Sequence, residues 1–347
     1  MAFLSSARKV ATGAAMLALL ATTGASAQDQ RLSLTGGGST FAAPIYGAWI
    51  EDYRSIAPNL DISYAVIGSG DGVAGFLDGS LDFAATDAPL TAEQESRVPG
   101  GVLHVPVTAG MVAVAYNLPG NLEGALRLPR AVLGDIFAGL ITNWDDPRLV
   151  AANPDLALPR QPIQVAARQD GSGTTYAFTN HLDAISASWR EADRGVATRV
   201  SWPNRTMKAR GNEGVAATIQ RSEGSIGYVE YGIARQAGLA LAAVENASGA
   251  YVAPSAESGA AAIAGADLPE DLKIEMRDPQ EAGAYPIVTF SWELLRAEPG
   301  DAEKDAAIRA FTRWAVTEGQ DRARDLGYVP MPEAVQERAS AVLGAGL

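Results

Sequence analysis

Polar and apolar positions alternate along several short stretches of this chain, and each alternation ends in small residues before a helical spacing begins. "RLSLT" (31–35) has the period of two that predicts a strand. "GGGSTFAAP" then turns, and Ile45, Trp49 and Tyr53 in "IYGAWIEDYRS" fall at helical intervals. "LDISYAVI" repeats the pattern, followed by "GSGDG" and the short helical "VAGFLDG"; "IQVAA" repeats it again, followed by "RQDGSGTT" and "YAFTNHLDAI". A fourth strand is predicted at Leu81–Ala85, and a new strand run starts in "HVPVTAGMVAVAYN". "GNEGVAATIQRSEGSIGYVEYG" reads as helix, turn and strand, and helices are predicted around Ile308–Trp314 and Ala334–Leu343. Strands alternating with helices predict an α/β fold, and 347 residues allow two domains with a core each.

Strand, Gly/Ser/Thr loop, helix: the physical interest of this order lies where the helix starts. Its first N–H groups have no partner inside the helix, and the aligned peptide dipoles leave a partial positive charge there. Glycine lets an oxyanion approach the backbone, and Ser or Thr adds a hydroxyl donor. One such loop is ordinary capping. Three of them, one beginning with Arg168, point to a small anion wrapped in hydrogen bonds.

Charge sharpens this expectation. The formal net charge is −13, and removal of residues 1–27, which hold Arg8 and Lys9 and no acidic residue, takes it to −15. A surface so acidic disfavours nucleic acid and anionic membranes, so an anion must be caught by local donors. Residues 1–27 have a positively charged start, a short apolar run and "ASA" ending at Ala27, the pattern of a secretory signal peptide cleaved after Ala27. The expected location is the bacterial periplasm. No cysteine is present, so disulfides and a lipidated cysteine are excluded, and the core must supply the stability.

The inventory also limits the chemistry. His104 and His181 are the two histidines and stand far apart in sequence, which leaves no transition-metal cluster. No serine stands in G-x-S-x-G, and "TGGGSTF" has neither the G-K-[ST] of a phosphate-binding P-loop nor the third glycine of a dinucleotide fingerprint. Asp145 and Asp146 precede Pro147 as in a turn that starts a helix. The chain is expected to bind and not to catalyse, with no catalytic residue, no metal and no cofactor.

Arg168 offers a planar fork suited to a tetrahedral oxyanion. Asp170 either holds that fork or caps the next helix, and Asp87, in "LDFAATDAPLT", suits a turn as well as a site. At these residues the sequence resembles the phosphate-binding proteins of bacterial phosphate ABC transporters. The resemblance rests on "LTGGGSTFAAPIYGAW", "VIGSGDGV", "DFAATDAPL", "LGDIFAGLITNWDDP", "RQDGSGTTYAFT", "GNEGVAATIQ" and "GSIGYVEY", in the family's order and over nearly the whole chain after residue 27.

The resemblance implies an α/β periplasmic binding protein of type II, with the ligand in a cleft between two domains joined by two crossover strands. It implies a discontinuous domain I of residues 28–106 and 286–347 and a domain II of 107–285, with crossings near Val105–Thr108 and Tyr285–Val288. The implied phosphate ligands are Thr40 through side chain and main chain, Phe41 through its N–H, Ser69, Arg168, Ser172, Gly173 and Thr174. Asp87 is implied as the single acceptor and Asp170 as the residue that steadies the arginine. Asp71 adds a negative charge near the cleft that departs from the family's pattern. The implied partners are inorganic phosphate and the permease subunits of an ABC importer with a cytoplasmic ATPase, and the implied state is a monomer. A receptor for another tetrahedral oxyanion such as arsenate, or a secreted phosphatase, is the alternative. An ionised carboxylate can only accept hydrogen bonds, so Asp87 favours a ligand that still carries a proton. Hydrogen phosphate carries one at neutral pH and sulfate does not, a difference on the order of several kcal/mol where each ~1.4 kcal/mol is tenfold in affinity.

Overall fold

The computed structural model describes residues 31–120 and 126–344. The expected signal peptide, residues 1–27, lies outside them. Among the described residues, strands β1 (Leu32–Gly38), β2 (Leu60–Val66), β3 (Phe83–Thr86), β4 (Val102–Asn117), β5 (Arg127–Leu128), β6 (Gln164–Arg168), β7 (Met207–Ala209), β8 (Ser225–Glu230), β9 (Ala240–Leu241), β10 (Ala243–Glu245), β11 (Tyr251–Val252) and β12 (Val288–Arg296) alternate with helices. One curled mixed sheet runs β2-β1-β3-β12-β4-β8-β6-β7, with β9 added to β4, and β11-β10-β5 form a small second sheet.

One long strand, β4, joins the halves of that sheet, with β12 beside it on one side. β4 lies antiparallel to β12 through Met111 and antiparallel to β8 from Val112, so it changes partner without a break. Its sixteen residues are almost continuously buried, the pattern of a strand covered on both faces. On one side β1 pairs in parallel with β2 and β3; on the other β6 pairs in parallel with β8 and β7. Each parallel connection runs through a helix, and the four that begin at Ala43, Ser69, Gly173 and Gly211 start beside the seam between the halves.

The first predicted turn is partly strand. Gly36, Gly37 and Gly38 continue β1 and pair with Phe83, Ala84 and Ala85. Glycine is a poor strand former, but a Cβ on Gly36 would sit 2.0 Å from the Phe83 ring, so the missing side chain leaves room for the aromatic ring that packs there. Tyr46 stacks on Tyr64 at 4.5 Å and meets Trp49 edge-on at 5.3 Å, and Phe311 from the helix Ala302–Val316 closes the group. These rings and the aliphatic residues of β4 and β12 form a continuous core. Phe76, Leu90 and Leu294 form a smaller cluster under the helix Ser69–Asp78.

The other expected packing residues find their places. Trp144 and Trp202 are buried, Trp314 lies partly buried against Tyr53, and Asp146 caps the helix Pro147–Ala152 by accepting from the Arg148 N–H. His104 and His181 are both buried, and burial holds each imidazole down to about 4. The predicted C-terminal helices correspond to Ala302–Val316, which contains Ile308–Trp314, and to Glu333–Val342, which ends one residue before the predicted Leu343.

Candidate functional site

Five loops meet where β1, β3 and the start of the helix Ser69–Asp78 face β6 and β7. Each begins at a strand end whose apolar residues are fixed in a core, so the polar residues just beyond are held by packing they do not themselves make. Ser39, Thr40, Ser69, Asp87, Arg168, Asp170, Ser172 and Thr174 are all buried, although all eight belong to types that ordinarily lie at the surface. So many buried polar groups require partners.

Ser39 follows β1 and uses its whole hydrogen-bonding capacity. Its hydroxyl donates to Asp87 Oδ1 at 2.5 Å and accepts the N–H groups of Phe41 and Ala42, both at 3.0 Å. Phe41, expected to present its N–H to the ligand, thus donates it to Ser39 here, and its ring packs in the core. Thr40 is held from across the seam: its hydroxyl oxygen accepts from the Asn212 N–H at 3.2 Å and from Asn212 Nδ2 at 3.0 Å.

Arg168 ends β6. Its Nε donates to Asp170 Oδ1 at 2.9 Å, its Nη2 donates to Asp170 Oδ2, and its Nη1 reaches Thr174 Oγ1 at 3.4 Å. Both side chains are almost fully buried. Burial alone would raise the Asp170 carboxyl, but the Arg168 hydrogen bonds and charge and the Gly211 N–H outweigh it and hold the group below its ordinary range. Asp170 therefore orients the guanidinium and does not cap the following helix. Ser172 takes that role, accepting from the Thr175 N–H at 3.0 Å to start the helix Gly173–Ile185.

A hydroxyl has one proton and two acceptor positions. Thr174 Oγ1 accepts from Arg168 Nη1 and Asn212 Nδ2, and Thr40 Oγ1 accepts twice from Asn212, so in each case the proton remains for a further acceptor. Two hydroxyl protons, one face of a guanidinium and the first-turn N–H groups of the helices at Ser69 and Gly173 thus converge. Arg168 is balanced by Asp170, so the cradle is suited to hold an anion by aimed dipoles more than by net charge.

Asp87 is the exception among these donors. It follows β3 and accepts from Ser39 at Oδ1, from Ser291 of β12 at Oδ1 (2.7 Å) and from Ser69 at Oδ2 (3.5 Å). Burial pushes its carboxyl up to about 6, with Ser39, Ser291, Arg168 and Ser69 opposing. It remains ionised at neutral pH. Its neighbour across the seam is Gly173, where a Cβ would lie 2.6 Å from both Cβ and Oδ2 of Asp87. The helix start approaches this closely because residue 173 has no side chain.

The loops also touch each other. Gly70 N–H donates to the Gly171 carbonyl at 2.9 Å, and Arg210 pairs with Asp71 at 3.3 Å in an exposed position. The extra charge of Asp71 is thereby balanced. A cavity of about 160 Å³ lined by Thr40, Val66, Ile67, Asp170 and Arg210–Glu213 opens beside the cradle.

The structure brings all eight expected ligand residues and Asp170 into one cluster. Sequence reasoning missed Ser39, Ser291 and Asn212. Asn212 carried a readable signal, because "MKARGNEG" is a fourth strand, small-residue loop and helix: β7, then Gly211 at φ +69° and the helix Gly211–Arg221. Ser39 and Ser291 carried none beyond their type.

Two α/β halves bridged by the continuous strand β4, with converging helix starts at the seam, define the class of two-lobed periplasmic binding proteins. The profile described as "PBP superfamily domain" matches residues 21–318. A phosphate-binding protein PstS of Pasteurella multocida is 37% identical over 330 residues, covering 94% of each chain. One of Xylella fastidiosa strain 9a5c is 37% identical over 316 residues, covering 90% of this chain and 85% of that one. Among solved structures, a high-affinity periplasmic phosphate-binding protein bound with phosphate superposes with a TM-score of 0.74 at 22% identity, covering 89% of this chain and 93% of that one. An ABC-type phosphate transport receptor from Vibrio cholerae gives 0.57 at 18%, covering 86% and 100%. The chain belongs to the phosphate-binding protein family.

Proposed function

We propose that this protein binds inorganic phosphate between two lobes in the periplasm, as a monomer, and delivers it to the permease subunits of an ABC importer. The lobes are residues 28–106 with 286–347, and 107–285. The ligand contacts are Thr40, Ser69, Asp87, Arg168, Ser172, Gly173 and Thr174, with Phe41 joining only by sharing the N–H that it gives to Ser39, and with Asp170 holding the arginine. The observation that carries the reading is Asp87, an acceptor buried among donors. A fully ionised tetrahedral anion has nothing to offer it, whereas hydrogen phosphate spends its oxygens on the donors and its proton on the carboxylate.

Affinity follows from the number of contacts. Charge-assisted hydrogen bonds contribute roughly 1.5–3 kcal/mol each. Half a dozen, less the cost of stripping water and closing the lobes, reach about −8 kcal/mol, a micromolar site or better. No bond in the ligand has to break. Inter-lobe contacts such as Gly70 to Gly171 and Thr40 to Asn212 exist only when the lobes meet, so closure reports occupancy to a membrane partner. Among the described residues no helix is long and apolar enough to cross a membrane.

Equilibrium dialysis of the purified protein against radiolabelled phosphate tests this. Retention is expected to be displaced by unlabelled phosphate and by arsenate, which has the same shape and proton, and to survive a large excess of sulfate. No retention, or displacement by sulfate as readily as by phosphate, overturns the proposal.

A further inference from the structure

Ser291 lies where the ladder between β12 and β4 loses its register. Ser291 opposes Thr108, but Trp292 opposes Pro106, so Val107 is an extra residue on β4. Bulges of this kind turn a side chain away from the regular alternation and gather beside functional sites. Here the fully buried Ser291 hydroxyl donates to Asp87 Oδ1 at 2.7 Å, across 204 residues of sequence.

The two oxygens of Asp87 therefore have different surroundings. Oδ1 accepts from Ser39 and Ser291. Oδ2 has the long contact to Ser69 and faces the helix start at Gly173. We propose that Ser291 is a specificity-determining residue: with Ser39 it occupies Oδ1 and leaves Oδ2 as the oxygen that meets the ligand's proton. This rests on the phosphate reading above. Ser39, Ser291 and Asp87 all belong to residues 28–106 and 286–347, so the carboxylate is fixed before the lobes close, and no rotation of it is needed on binding.

The two serines are not equivalent. Ser39 also holds the N–H groups of Phe41 and Ala42, so its loss would disturb the loop itself. The shortest contact of Ser291 is to Asp87, with a longer one to the Thr86 carbonyl at 3.5 Å, which makes it the informative position. Each hydrogen bond to the carboxylate favours its ionised form. Other groups acting on Asp87 are Arg168 at the end of β6, which favours ionisation, and Glu230 at the end of β8, which opposes it. The buried phenols of Tyr46, Tyr64 and Tyr328 also sense its charge, and Glu293 of β12 lies behind them, bonded to Tyr46 and Thr312.

The test is a pH titration of Ser291→Ala and Ser291→Cys beside the wild type. The Asp87 carboxyl is followed by its carbon chemical shift in ligand-free protein, and the preference for phosphate over sulfate is measured by calorimetry across the same range. In Ser291→Ala both midpoints are expected to move up by about one pH unit, the tenfold equivalent of losing one hydrogen bond to a charged group. The weakly donating thiol of Ser291→Cys is expected to fall between, and serves alone if the alanine variant does not fold. Titration and selectivity profiles identical to wild type in a folded variant overturn the inference. Wild-type protein that binds no phosphate refutes the ligand reading and the selectivity role together, while the ligand-free titration still decides whether Ser291 holds Asp87.

Discussion

A methyl group on Gly173 would stand 2.6 Å from Asp87, but only while the two loops are in contact. Gly173→Ala is therefore expected to weaken phosphate binding about a hundredfold or more and to leave the melting temperature of the ligand-free protein nearly unchanged. Calorimetry and differential scanning together check this; a large loss of melting temperature without loss of binding would contradict it. Asn212 should behave differently, since its amide joins Thr40 to Thr174 and its carbonyl holds the Glu230 N–H at 3.0 Å. Asn212→Ala is expected to cost about tenfold to a hundredfold in affinity, the range for losing one or two such hydrogen bonds. Calorimetric affinity within threefold of wild type would remove Asn212 from the cradle. The residues proposed to touch the ligand were legible because each stands in a loop between a recognisable strand and helix. The ones that hold them were not. A lone serine in "TFSW" says nothing about an aspartate 204 residues away until the sheet has put β12 beside β3.

At the scale of elements, the periodicity revealed the strands and helices around the site but not the extent of β1. Gly36, Gly37 and Gly38 read as a turn because glycine has no side chain to pack and the largest backbone entropy to lose. Here the packing is provided by a neighbour: the Phe83 ring occupies the space a side chain on Gly36 would need. Gly36→Ala is expected to destabilise the protein by roughly 2 kcal/mol or more, the cost of overpacking a core, with folding and not affinity as the first casualty. Denaturant unfolding checks it, and a change under about 0.5 kcal/mol would show that the ring moves aside freely. The bulge at Val107 was likewise invisible, since "VPVTAG" alternates plausibly on either side of the extra residue. Alternation records which face is buried; only the partner strand shows where the count slips.

At the scale of the molecule, three buried carboxyls, Asp87, Glu230 and Glu293, shape the response to pH. Burial raises Glu230 to about 8 against the opposing Gly232 and Ile233 N–H groups, and raises Glu293 to about 7 against Thr312 and Tyr46. A carboxyl raised on folding binds more protons in the native state, so its contribution is complete below its unfolded value and is lost as pH rises through its folded value. The histidines, held near 4, act in the opposite direction, but only below about 6.5, where the unfolded chain would take up their protons. In phosphate-free buffer the melting temperature is therefore expected to fall by about 3 °C or more between pH 6.5 and 8.5, a span that belongs mainly to Glu230. Glu230→Gln should flatten that slope; a melting temperature that is constant or rises over the interval contradicts the assignment. The proposed selectivity has its own expected pH window, set by Asp87 near 6. Above it the carboxylate only accepts; below it the protonated group can donate, and a fully ionised anion is no longer refused. The most direct measurement is calorimetry of the purified protein against phosphate and sulfate at pH 8 and again at pH 5. Strong heat from phosphate with none from sulfate at pH 8, and a visible narrowing of that gap at pH 5, is the predicted result. Sulfate binding equal to phosphate at pH 8 would contradict it.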